Sequence, residues 1–311
     1  MNWIKKGVIF KTDNDFDWMS SHACVPTVHI LNEDTFRIFF SPRNANGQSM
    51  LGYIDVEADN PKNIIQISEK PLMPLGELGT FDDGGIMPCS IITNADEIYL
   101  YYVGWNPSGS VPYRNSVGLA VSKDNGESFQ RMFKGPIVDR NRHEPFFTAS
   151  PYVLKEDDIW HMWYASSTGY TLVNNKPEPL YIIKYASSKN GIDWERNNHT
   201  CIEPKTELEA NARASVIKEN NIYKMWFAYR GSLDFRDGAD SYRIGYAEST
   251  NARDWTRKDS EAGITFSESG WDSKMQTYPN IIEHKGRKFL FYNGNGFGKT
   301  GIGYAVDKDF K

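Results

Sequence analysis

The sequence of 311 residues predicts an all-β fold, a five-bladed β-propeller of four-stranded antiparallel blades. Three recurrences predict it. Aromatic-rich strand segments return as FRIFF (36–40), IYLYYVGW (98–105), WHMWYASS (160–167), YKMWFAYR (223–230) and KFLFYNGN (288–295). Each is followed by a Gly/Ala-rich strand: LGYIDV (51–56), VGLAVS (117–122), IKYASS (183–188), IGYAES (244–249) and IGYAVD (302–307). Each is preceded by an apolar strand opening at Pro26, Pro88, Pro151, Ala214 or Pro279, anchors separated by 62, 63, 63 and 65 residues. A fixed period of this length is the signature of a repeat architecture, and five units of four strands close a ring.

Taken in order, the blades span roughly residues 17–80, 81–140, 141–204, 205–266 and 267–311, the last completed by residues 2–10. Fourth strands are expected in SFQRMFKGPIV (128–138), DWERNNHTCIEP (193–204) and DWTRKDSEAGIT (254–265). The final repeat stops at Asp309-Phe310-Lys311, where its fourth strand should begin. Residues Asn2–Phe10 carry the missing pattern, so the N-terminal strand is expected to close the ring and remove two exposed sheet edges. Trp3 is structural in this reading. Blades stack on both faces, so Tyr223, Met225, Phe227 and Tyr229 should face one neighbour and Trp226 and Ala228 the other. One repeat array fills the chain, which predicts a single domain.

Bulk properties narrow the function. A formal charge of −5 and no Lys/Arg run argue against a nucleic-acid partner or an anionic membrane. No stretch approaches a membrane span, and MNWIKKGVIF lacks a signal-peptide core, so a cytoplasmic location is expected. Cys24, Cys89 and Cys201 are odd in number and widely spaced, reading as buried small hydrophobes. No spacing suits a zinc or calcium site, and no cofactor is expected.

The two rims differ in grammar. Turns such as NED (32–34), KEDD (155–158) and SKNGID (188–193) are short, regular and polar, which suits solvated backbone turns. The opposite rim carries unequal loops, Arg43–Gln48, Trp105–Asn115, Ser166–Leu180, Arg230–Ser241 and Asn293–Thr300, and irregular loops on a rigid scaffold are where binding usually sits. Acidic residues stand before each inner strand: Asp17, Asp82, Glu144, Glu207 and Asp272. They have two readings. Glycoside cleavage needs two carboxyl groups flanking the bond, whereas a residue type recurring in every blade is also what a structural contact would leave. Asp83, Glu144 and Asp272 are the candidate acid/base residues; Asp83 breaks the repeat beside Gly84-Gly85, and Glu144 lies in Arg142-His143-Glu144-Pro145. On that reading, Glu144→Gln should leave folding intact and abolish turnover. Candidate substrate-binding residues are His22, Asp82, His143, Glu209, Asn293 and Asn295, with Arg43, Arg213 and Arg230 suited to gripping a sugar carboxylate or phosphate. The run Gly296-Phe297-Gly298-Lys299-Thr300-Gly301 fits G-x-G-x-x-G, but strands flank it on both sides, so no helix N-terminus is available for a phosphate. It reads as a hairpin loop.

The blades, their Asp/Asn-x-Trp corners and phrases such as GTFDDGG (79–85), YIIKYASSKNGIDW (181–194) and FYNGNGFGKTGIGYA (291–305) resemble the five-bladed propeller glycosidase superfamily, which includes glycoside hydrolase families 43, 32, 68 and 130. The likeness extends over the whole chain and is greatest to propeller proteins of surface-polysaccharide gene clusters. It implies a carbohydrate-active enzyme working on a glycosidic or sugar-phosphate bond in the central funnel, with a carbohydrate or nucleotide sugar as ligand. The alternative is a non-catalytic sugar-binding propeller. In families 43 and 32 a catalytic Asp immediately precedes the inner-strand Pro of the first blade, and another marks a later blade. The residues before the anchors here are Val25, Met87, Ser150, Arg213 and Tyr278, so no family catalytic residue carries over.

Overall fold

The structure is a computed structural model in which residues 2–13, 16–236 and 238–308 are described. After β1 (Trp3–Phe10), the first blade comprises β2 (Ser21–Ile30), β3 (Thr35–Arg43), β4 (Gly52–Glu57) and β5 (Ile64–Ile67). The second comprises β6 (Gly85–Asn94), β7 (Glu97–Pro107), β8 (Tyr113–Ser122) and β9 (Gln130–Arg131), and the third β10 (Thr148–Glu156), β11 (Ile159–Val173), β12 (Lys176–Ser188) and β13 (Thr200–Ile202). The fourth holds β14 (Ala210–Glu219), β15 (Ile222–Arg230), β16 (Arg243–Ser249) and β17 (Thr256–Arg257); the fifth holds β18 (Thr277–His284), β19 (Arg287–Asn293) and β20 (Ile302–Asp307). Five four-stranded antiparallel sheets result, and β1 pairs with β20 as the fourth strand of the last. Asp309–Lys311 lie outside the described residues.

Ring closure follows the expected logic. Trp3 is buried, donates its indole N–H to the Ala262 carbonyl at 3.1 Å and meets Trp226 edge-on at 5.8 Å. Tyr223, Met225 and Phe227 pack with Trp163 and Ile183 of the third blade, whereas Trp226 packs with Leu290 and Tyr292 of the fifth. Two details differ from expectation. Most fourth strands pair over only two to four residues, because loop backbone takes over the rest of each segment. The Ser166–Leu180 segment is a regular extension of the β11–β12 hairpin, paired out to Val173–Lys176.

Each inner strand carries a one-residue bulge at its anchor, between Cys24 and Thr27, Pro88 and Ser90, Ala149 and Tyr152, Ala212 and Ser215, and Thr277 and Asn280. Four of the five residues preceding the anchors are left-handed: Val25 (φ 57°), Ser150 (47°), Arg213 (53°) and Tyr278 (54°). A bulge bends a strand and re-aims a side chain. Amides near the bulges are satisfied from the neighbouring blade, as when the Val153 N–H donates to Ser90 Oγ, Ile281 N–H to Ser215 Oγ and Val28 N–H to Asn280 Oδ1. These contacts stitch blade to blade around the axis. Among the described residues, no helix is long and apolar enough to cross a membrane.

Candidate functional site

The bulges aim their residues at one place. Val25, Met87, Ser150, Arg213 and Tyr278 all line a central cavity of about 580 Å³ at the irregular rim. Aromatic side chains form much of the remaining wall, among them Trp105, Tyr113, Phe147, Phe235, Tyr242 and Phe297. Arg43, Arg230 and Arg236 complete its charged lining, and among the described residues no carboxylate belongs to it.

The arginines are held in different ways. Arg213 is fully buried; its two terminal nitrogens donate to the Cys89 carbonyl and to the Pro26 carbonyl and Thr27 hydroxyl, crossing from the fourth blade to the first and second. Its Nε has no partner, and burial lowers its pKa from the ordinary value. Arg230 is fully engaged: Nε donates to the Tyr181 and Tyr242 hydroxyls, and the terminal nitrogens to the carbonyls of Gly231 and Pro179 and the Ser232 hydroxyl. The two tyrosine hydroxyls also touch each other, and burial drives the Tyr242 pKa far up. Phe235 lies between Arg230 (3.8 Å) and Arg236 (4.4 Å). Arg236 pairs with Glu178 on the extended hairpin of the third blade, while Arg43 stands exposed at the rim without an ion pair to any described carboxylate.

The sequence-predicted acids lie elsewhere, in a lock repeated within blades. Asp82 accepts from the Tyr102 hydroxyl at 2.9 Å and from Arg131 Nε at 2.7 Å. Glu144 accepts from the Tyr164 hydroxyl at 3.0 and 3.1 Å, with Arg196 at 3.5 Å and Lys184 at 3.9 Å. Asp272 accepts from the Tyr292 hydroxyl and Gln276 at 2.9 Å and pairs with Lys5 at 2.7 Å. In all three the tyrosine comes from the second strand, twenty residues after the acid, and a cation comes from the outermost segment of the blade. Glu209 pairs with Arg257, which lies over the Tyr229 ring in place of the hydroxyl contact. Burial by itself would raise the Asp272 pKa, but bonds from Lys5, Ser267, Gln276 and Tyr292 together bring it below the ordinary value. These acids tie inner to outer strands, and none of them lines the cavity.

Asp83 has neither a tyrosine nor a cation partner: Oδ2 accepts the Gly79 N–H at 2.7 Å, and Oδ1, like Asp272 Oδ1, is buried without a partner among the described residues. His143 is exposed and contacts Arg142 at 3.0 Å. His22, left-handed at φ 61°, bonds Ser21, and burial together with Arg43 and Lys299 lowers its pKa to about 4. Asn293 and Asn295 were expected to be free for ligand and are instead consumed by structure. Asn293 accepts the Val25 N–H and donates to the Ala23 and Gly301 carbonyls, clamping the fifth blade to the first; Asn295 caps Lys274 and Met275. The glycine run serves the same closure, since a Cβ on Gly298 (φ 92°) would meet the Ala23 carbonyl at 2.9 Å. Among the described residues, no cluster of His, Cys, Asp and Glu could hold a metal ion.

No family model matches the chain. The Mycobacterium tuberculosis proteins named Uncharacterized protein MT1551 and Uncharacterized protein Rv1502 are each 34% identical to it over 307 residues, covering 98% of this chain and 99% of theirs. A 1,2-beta-oligomannan phosphorylase of Thermoanaerobacter sp. is 30% identical over 182 residues, 54% of this chain and 57% of that enzyme. Among solved structures, one named Glycoside hydrolase superposes with a TM-score of 0.75 at 17% identity, covering 98% of this chain and 92% of its own. A family-130 structure from work on mannoside phosphorylases and hydrolases of β-1,2-mannosidic linkages gives 0.72 at 15% identity, covering 100% and 94%. Those likenesses place the ring among five-bladed glycosidase propellers in fold. With 34% identity over 98% of its length, the chain belongs to the family of the mycobacterial proteins MT1551 and Rv1502.

Proposed function

We propose that the protein recognises a carbohydrate in the central cavity, and that it does so without the paired carboxylates of a glycosidase. The observation that carries this reading is the bulge ring: Val25, Met87, Ser150, Arg213 and Tyr278 project into the cavity, and none is an acid. Glycoside cleavage by acid/base chemistry uses two carboxyl groups, and Asp82, Glu144 and Asp272 are each held by a tyrosine and a cation, with Asp272 Oδ1 left unpaired. Recognition is well provided for. Trp105 and Tyr113 offer ring faces for the C–H face of a sugar, and Ser49, Asn115 and Ser150 offer groups for its hydroxyls. A sugar from surface-polysaccharide metabolism is the ligand class that the resemblance implies.

A second reading, an enzyme acting on a glycosidic or sugar-phosphate bond, is favoured by the partial likeness to the 1,2-beta-oligomannan phosphorylase. Asp83, with one carboxylate oxygen unpaired beside the rim, is the acid on which it rests. Titration of oligosaccharides and sugar phosphates into the protein, followed by NMR, tests both. Saturable shifts with no change in the sugars, weakened about tenfold by Trp105→Ala, support recognition. Conversion of a sugar by wild type and its loss in Asp83→Asn replace recognition with the enzyme reading, and absence of both binding and conversion overturns both.

A further inference from the structure

We infer that the carbohydrate bound in the cavity carries an anionic group, a carboxylate or a phosphate, which is received by Arg43 and Arg213. This deepens the carbohydrate reading and rests on it. Four arginines line the cavity, and among the described residues only Arg236 has a carboxylate partner, Glu178. Arg213 and Arg230 are buried, and every bond they make goes to a neutral carbonyl or hydroxyl. A buried cation without a counter-charge is costly unless a partner arrives. The chain as a whole carries a formal charge of −5, yet among the described residues no acid lies on this wall. Its positive charge is therefore local.

Unused hydrogen-bonding capacity lies on the same wall. Arg213 Nε is a buried donor without an acceptor, and Thr277 Oγ1, on the adjoining inner strand, is buried and unpaired; both residues line the cavity. Arg43, across the ring at the end of β3, presents a guanidinium free of any ion pair among the described residues. A neutral sugar hydroxyl could satisfy one such donor. A carboxylate or phosphoryl group offers several acceptor oxygens and a negative charge together, matching both the open donors and the uncompensated cations.

The test is equilibrium binding of glucose, glucuronate, glucose phosphate and inorganic phosphate to the intact protein at low and high salt. Glucuronate or glucose phosphate should bind at least ~10-fold more tightly than glucose, the preference shrinking with salt. Arg43→Gln, at an exposed position, should abolish that preference by weakening glucuronate and glucose phosphate at least ~10-fold; Arg213→Gln, if folded, should do the same. Equal binding of glucose and the charged sugars overturns the anion assignment and leaves carbohydrate recognition standing. Inorganic phosphate binding as tightly as glucose phosphate, with glucuronate inert, also overturns it, because the charge would then come from a free ion. Failure of every sugar to bind at about 10 mM overturns the carbohydrate reading as well.

Discussion

Replacing Glu144 by Gln separates a catalytic acid from a structural one. The carboxylate is almost fully buried, accepts twice from the Tyr164 hydroxyl, and stands 3.5 Å from Arg196 and 3.9 Å from Lys184, whose side chains are 13% and 8% exposed. Removing one partner of a buried ion pair costs about 3–5 kcal/mol, mainly by stranding the remaining charge. Two features reduce that figure here. The amide oxygen of Gln can still accept from Tyr164, and Lys184, already held below its ordinary pKa by burial, loses the Glu144 charge that raises it and can shed its proton. A loss of about 2–3 kcal/mol follows. Urea unfolding followed by Trp fluorescence should show a lower midpoint at unchanged slope, and the folded variant should bind ligand with wild-type affinity. A variant as stable as wild type, within about 0.5 kcal/mol, but unable to bind or turn over ligand would refute the lock and restore Glu144 as a functional acid.

Trp3→Ala removes a buried indole at the ring closure and should cost about 3–5 kcal/mol. Calorimetry should show a fall in melting temperature of about 2 °C per kcal/mol in a domain of this size; a change under about 2 °C would mean the ring closes without this contact. Acid sensitivity is expected earlier than carboxylate titration would give. Burial is the first cause that lowers His22 and His29 from 6.5 to about 4, and it also lowers His161. Between those limits the unfolded chain binds more protons than the folded one, so stability falls as pH drops from 6.5 towards 4. Urea midpoints measured across that range should decline and the decline should lessen in His29→Gln; a flat profile would contradict the buried neutral state.

The fold was legible because propeller blades repeat the same packing problem five times. Alternation in YKMWFAYR already separates Met225 from Trp226, and the unpaired strand at each terminus already demands β1 beside β20. Loop lengths were not equally legible: nothing local distinguishes Ser166–Leu180 as a loop from the same residues as a paired extension, since pairing there depends on β11 and β12 supporting one another. Of the residues nominated from the sequence, Arg43, Arg213 and Arg230 line the cavity, because strand ends that face an axis bring their side chains there. The acids were open to two readings because a lock and a catalytic pair ask for the same residue before the same strand. A signal that separates them was present: Tyr102, Tyr164 and Tyr292 each stand twenty residues beyond an acid, a coincidence that a catalytic group would not need. Phe235, Arg236 and Phe297 were missed because they lie in loops that repeat nothing.

The bulges explain how one backbone can present different linings. A left-handed residue costs about 1–3 kcal/mol where no glycine relieves it, and Val25, Ser150, Arg213 and Tyr278 all bear that cost. Such strain persists when its surroundings over-determine it, and here the cross-blade bonds from Ser90, Ser215, Asn280 and Asn293 do so. The geometry of those positions is thus a property of ring closure, independent of the side chain placed there. An acid on such a bulge would be aimed at the cavity. This chain puts Val, Ser, Arg and Tyr on the same strained backbone and obtains an aimed wall. Arg213 shows the consequence most sharply, because the scaffold that would orient a carboxylate now orients a guanidinium. The bulge fixes the direction, and the side chain placed on it fixes the charge that the cavity presents.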